Sequence, residues 1–234
     1  PGVRKMYRST MVSRRQPWPN SAWSELHYSK VVNVTSTSAN PTVSTVVRLN
    51  SLYDPSPTTG TFSPLGIPQW AQLYTKYRVR ACKVLVTLYN GDASSSSDDF
   101  RGVVFIHGNP SNGLSAIDPT LASDDVIVRP NTSWKPFGRN DGNRGIVSVS
   151  RYFSIGKLDG RRIGSEDDYA GTISFNRAAN TVSGTNPALI PECNVGIAPL
   201  NSPASNRTYA LQIKVKYYAE FFDRAVATTV AVAE

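Results

Sequence analysis

Cysteine is scarce in this chain of 234 residues: Cys82 sits inside an apolar run and Cys193 in a proline-rich segment. Two thiols are too few for a disulfide framework or a thiolate zinc site, and both are read as reduced. Histidine is equally sparse. His27 and His107 each fall within an expected strand, and neither belongs to a catalytic pattern. No nucleophile elbow, phosphate-binding glycine loop or His-Glu-x-x-His helix occurs, which argues against an enzyme; no cofactor or metal is expected. Apolar runs are short, so nothing approaches the roughly 20 residues of a membrane helix. The first 24 residues lack the apolar stretch of a signal peptide, and they contain no Asp or Glu.

What those 24 residues do contain is Arg4, Lys5, Arg8, Arg14 and Arg15. Five of the 25 basic residues therefore precede Glu25, leaving 20 against 17 acids, or +3 of the total +8, for the rest. A cationic tail over 1–24 is fused to a nearly neutral body over 25–234, and such a tail can neutralise phosphates without forming a fold. Its cations alternate with Tyr7, Trp18 and Trp23, rings that can stack on unpaired bases. Trp18 lies between Pro17 and Pro19, which suits an anchor against the body. Because Pro1 is not an initiator residue, more basic sequence is expected before it.

The body, rich in apolar residues and without a linker, is expected to be one domain. Alternation of period two is cleanest from Leu211 to Phe222 and marks further strands at Leu26–Thr35, Thr45–Leu52, Tyr77–Tyr89, Gly102–His107, Val126–Arg129, Val147–Ile155 and, more weakly, Thr172–Phe175. Long connections are expected at Tyr53–Pro68, Gly91–Asp99, Gly108–Ser123, Pro136–Arg144, Gly156–Asp168 and Thr181–Ser205. One two-turn helix is expected after Pro68, with Trp70, Leu73, Tyr74 and Tyr77 on its apolar face. Strands without crossover helices must pair antiparallel. Eight of them with uneven loops fit an all-β, two-sheet jelly roll better than an up-and-down barrel.

The doublets Asp98-Asp99, Asp124-Asp125 and Asp167-Asp168 match no calcium-loop spacing and read as turn chemistry, with oxygen ligands to calcium at a subunit contact as the alternative. Three Asn-x-Ser/Thr triplets, at Asn33, Asn131 and Asn206, read as chance in a chain without a secretion signal. On the body, Lys214 and Lys216 share the polar face of the last strand, and Arg78 and Arg80 share a face of another. If these strands are neighbours, their cations form one wall; lysines and arginines that merely discourage edge pairing are the alternative.

The segment Gly66-Ile67-Pro68-Gln69-Trp70, followed by Leu73-Tyr74 and by Tyr77-Arg78-Val79 leading into a Val-rich strand that ends Tyr89-Asn90, resembles capsid proteins of circovirus-like circular single-stranded DNA viruses. The basic arm and the strand from Lys214 to Arg224 sit where that family places them. The resemblance implies a single jelly roll whose copies close into an icosahedral shell of roughly 60 subunits or a multiple. It implies an inward-directed arm carrying Arg4, Lys5, Arg8, Arg14 and Arg15, and an interior lined by the sheet that holds the first, last and Tyr77–Tyr89 strands. Arg78, Arg80, Lys214 and Lys216 become candidate contacts to viral single-stranded DNA, on strand phase more than on motif. A virion location, and the host nucleus during assembly, follow from the same resemblance. The arm is shorter and less basic than the family's long Arg-rich run. A small RNA-virus coat, a non-assembling single-strand binder and a carbohydrate-binding sandwich are the alternative readings.

Overall fold

The computed structural model describes residues 19–57, 63–89, 101–111, 117, 120, 123–138, 146–163, 166–200 and 207–225. Ten strands run through them: β1 (Ser21–Ser36), β2 (Val43–Arg48), β3 (Tyr74–Tyr89), β4 (Gly102–Asn109), β5 (Thr132–Phe137), β6 (Ile146–Ser154), β7 (Ala170–Asn176), β8 (Thr181–Thr185), β9 (Glu192–Pro199) and β10 (Arg207–Arg224). Three short helices, α1 (Ile67–Ala71), α2 (Ser123–Ile127) and α3 (Ile155–Asp159), and a 3-10 turn at Asp167–Tyr169 complete the described elements.

All pairings are antiparallel and form two sheets. The first has the order β1-β10-β3-β7-β8, with β6 also on β3; the second is β2-β9-β4-β5. Setting aside the β7–β8 hairpin leaves two four-stranded sheets, β1-β10-β3-β6 and β2-β9-β4-β5. The first strand pairs with the last and the second with the next to last, which is the winding of a jelly roll.

The eight jelly-roll strands are not quite the eight expected. Thr172–Phe175 belongs to the extra hairpin, and Val126–Arg129 is overtaken by α2, whose first turn carries Asp124 and Asp125. Acids there complement the helix dipole, and a four-residue apolar run is too short to enforce a strand. In their place stand β5, hidden by Lys135 and Pro136, and β9, buried along most of its length and therefore without alternation. The loops expected at Thr181–Ser205 and Pro136–Arg144 accordingly give up residues to β8, β9 and β5.

The core lies between the sheets, where Cys82, Val84, Val86 and Leu88 of β3 and Leu211, Ile213, Val215 and Tyr217 of β10 meet Val104 and Ile106 of β4 and Val195 and Ile197 of β9. Full burial of such side chains contributes about 1.5–3 kcal/mol each. Both thiols are free and buried here, and desolvation raises their pKa values. Two buried tyrosines carry hydrogen bonds across the core: the Tyr217 hydroxyl donates to the Arg48 carbonyl at 2.8 Å, and the Tyr77 hydroxyl, pushed up to about 12 by burial, donates to the Thr185 carbonyl at 3.3 Å. The expected helix is one short turn. Gly66 precedes it at φ 95°, a left-handed conformation costly for any other residue, and Trp70 stacks on Phe221 at 4.7 Å. Tyr74 and Tyr77, expected on that helix, already belong to β3.

Candidate nucleic-acid interface

β10 lies between β1 and β3, so the two pairs of cations expected to form a wall do share one sheet. Their side chains stand on its outer face, away from the core. Arg4, Lys5, Arg8, Arg14 and Arg15 lie outside the described residues.

Strand phase on β3 is not uniform. Tyr77 and Val79 point inward, and so do Cys82, Val84, Val86 and Leu88. A bulge reconciles the two series: Tyr218 pairs with Ala81 and Ala219 with Val79, leaving Arg80 without an opposite residue. The bulge also divides the other rim of β3, which pairs with β7 at Lys76–Arg78 and with β6 from Ala81 onward. Beyond the bulge the outward residues become Lys83, Leu85, Thr87 and Tyr89. Lys83 was absent from the expected set because extrapolating Arg78 and Arg80 in steps of two lands on Cys82.

Across the sheet, His27, Lys216, Lys83 and Tyr152 form one row. Ser29, Lys214, Leu85 and Ser150 form the next, and Glu25, Tyr218, Ala81 and Ser154 flank the first on its other side. Lys216 and Lys83 are thus directly opposed on neighbouring strands, an arrangement that costs a folded sheet about 0.2–1 kcal/mol.

Three cations of this face are matched by carboxylates. Lys76 pairs with Asp223 at 2.8 Å, Arg80 with Glu220 at 2.5 Å and Lys216 with Glu25 at 2.6 Å. The hydrogen bonds that Lys76 and Lys216 donate to Asp223 and Glu25 raise the pKa values of the two lysines. Arg78 is nearly buried: it donates to the Glu166 carbonyl at 3.3 Å and lies 4.9 Å over the Phe222 ring, with desolvation lowering its pKa. Lys83 and Lys214 are exposed and have no ion pair among the described residues. Four expected cations are therefore brought together, but only Lys214 of them is both open and unpaired.

Rings surround this surplus. Tyr152, 59% exposed, sits 6.2 Å from Tyr218, and the Lys216 ammonium lies 5.9 Å from the Tyr218 ring. Trp23, 61% exposed, covers Arg80 at 5.7 Å. Ammoniums beside exposed rings can neutralise phosphates and stack bases without reading sequence.

The other histidine is elsewhere. His107 is buried on the second sheet, its Nδ1 2.8 Å from the Thr132 hydroxyl. Desolvation, then Arg129, lowers its pKa; a side-chain hydrogen bond that Asn109 accepts opposes this and Arg151 adds to the lowering. Asp124-Asp125 and Asp167-Asp168 occupy first turns of α2 and the 3-10 turn, Asp98-Asp99 lies outside the described residues, and among the described residues no three His, Cys, Asp or Glu side chains converge as metal ligands.

No protein-family model matches this chain, and no curated protein matches it. Among solved structures it is similar to mud crab tombus-like virus at 12% identity and TM-score 0.48, over 92% of this chain and 87% of that one. The decameric BFDV capsid protein matches at 12% identity and TM-score 0.41, over 86% and 98% of the two chains. Cocksfoot mottle virus matches at 10% identity and TM-score 0.43, over 87% and 97%. At these identities and TM-scores the functional reading rests on the chain's own residues.

Proposed function

We propose that this chain is a viral coat protein whose copies close into an icosahedral shell around single-stranded nucleic acid. The outer face of the β1-β10-β3-β6 sheet, with the basic arm, meets the packaged strand. The observation that carries the reading is the exposed Lys83 and Lys214, without ion pairs among the described residues, around Lys216 and beside Tyr152 and Tyr218: a folded domain keeps unmatched cations among open rings on one sheet face, which a polyanion can match. The jelly-roll winding and the resemblance of residues 66–90 support a structural role in a virion rather than turnover of a substrate.

The resemblance favours DNA, but phosphates and rings serve RNA equally. Purified protein should form uniform particles by negative-stain microscopy, and nucleic acid extracted from them should be single-stranded and DNase-sensitive. RNase sensitivity would replace DNA by RNA. Monomeric protein with no affinity for either polymer would overturn the reading.

A further inference from the structure

β1 pairs with β10 along all 16 of its residues, and among the described residues no strand pairs with its other rim. The orientation of that rim is fixed by one contact: the Leu65 amide donates to the His27 carbonyl at 3.2 Å. His27 therefore turns its backbone groups away from β10, and so do the odd-numbered residues that follow it. Ser29, Val31, Asn33 and Thr35 present four N–H and four C=O groups to that side, with no backbone partner there among the described residues.

The remaining edges are each blunted. Pro55 closes β2 by accepting from the Arg48 amide at 2.8 Å. β5 carries Lys135 and Pro136, β8 is only five residues long, and Arg151 ties β6 to Thr132 at 2.7 Å. These are the usual defences against strand addition. The free stretch of β1 has no proline, no bulge and no charge on its outer face, where Val31 is 62% exposed. Its single cation, Lys30, is held by the Ser56 hydroxyl at 2.8 Å.

We propose that β1 pairs antiparallel with β1 of a second copy, about a two-fold axis beside Val32. This rests on the coat-protein reading and names one of its subunit contacts. The register follows from the free groups: setting Ser29 against Thr35 and Val31 against Asn33 engages all of them and brings Val32 opposite its own copy. No charge meets its like, since Lys30 falls opposite Val34. Such an isologous contact is self-complementary. It also turns two six-stranded sheets into one, so the Lys214–Lys216 faces of two subunits become a single surface.

Cysteine substitution tests the register. Opposed residues of a non-hydrogen-bonded pair lie about 4.5 Å apart at Cα, within disulfide reach, whereas diagonal ones are about 7–8 Å apart. In oxidised, assembled protein Val32→Cys should give disulfide-linked dimers on non-reducing gels and Val31→Cys should not; the buried native thiols stay out of the reaction. Val31→Pro removes an amide that β10 does not use, so the monomer should keep its circular dichroism while dimerisation weakens about tenfold or more. Uniform particles without a Val32→Cys dimer would overturn this contact and leave the coat reading intact. Protein that forms neither particles nor dimers would overturn both.

Discussion

At the scale of single residues, Lys83 and His107 make opposite predictions. Lys83 faces Lys216 across the strand boundary, so replacing it should relieve repulsion while removing a phosphate contact. Lys83→Ala should therefore melt slightly higher than the parent yet bind single-stranded oligonucleotide more weakly. Its plot of log affinity against log salt should be shallower by about 0.7, the value for one lost contact. Unchanged affinity and slope would remove Lys83 from the interface. Burial, and then the charges of Arg129 and Arg151, lower the pKa of His107. Its folded pKa lies below the ordinary imidazole value of about 6.5, so the unfolded chain takes up the proton first. Stability is complete above that value and declines as pH falls through it toward the folded pKa. His107→Gln should flatten the drop in Tm between pH 7 and pH 5, which a thermal scan at both values would read.

At the scale of elements, the bulge at Arg80 decides which side chains meet solvent. Deleting Arg80 would set Val79 and Cys82 two positions apart, so Tyr77, Val79 and the Cys82–Leu88 series would all face the core on one uniform phase with their β10 partners unchanged. We expect that variant to keep a cooperative melting transition, and loss of that transition would show that the fold needs the bulge itself. Arg80→Ala keeps the extra residue and should cost on the order of 1 kcal/mol, since its partly exposed pair with Glu220 and its contact with the Trp23 ring go with it. The bulge also shows what could be read from sequence. Strong alternation made β10 and most of β3 legible, and the change of apolar parity between Val79 and Cys82 was the visible sign of the bulge and hence of Lys83. β9 carried no such sign, because Cys193, Val195 and Ile197 face the core while Asn194 and Ala198 are buried on the opposite face. β5 was obscured by Pro136, which an edge strand tolerates. Ion pairing is long-range information as well: Glu25 and Lys216 stand 191 positions apart, so nothing local foretold that Lys216 is matched while Lys214 is not.

At the scale of the whole molecule, the arm and the sheet should contribute separately to nucleic-acid binding. Ser21 and Trp23 belong to β1, and the Pro19 carbonyl accepts from the Tyr74 hydroxyl at 3.0 Å, so a truncation that spares the fold begins at Pro19. If all five arm cations contact a single strand, that truncation should flatten the salt dependence by about 3.5 per subunit. A residual slope should persist and then fall again with Lys83→Ala and Lys214→Ala. Loss of all binding on truncation alone would leave the sheet no part in it. The pairing of β1 with β10 has one more consequence. Ser21 lies opposite Phe222, so the described chain enters and leaves the body at the same corner, beside the row that holds Trp23, Glu220 and Arg78. Whatever precedes residue 19 is thus tethered at the rim of the cationic sheet. On the proposed function, a polymer resting on the lysines would meet that tether at high effective concentration, and capture by the two parts would be an avidity effect rather than a sum of independent events.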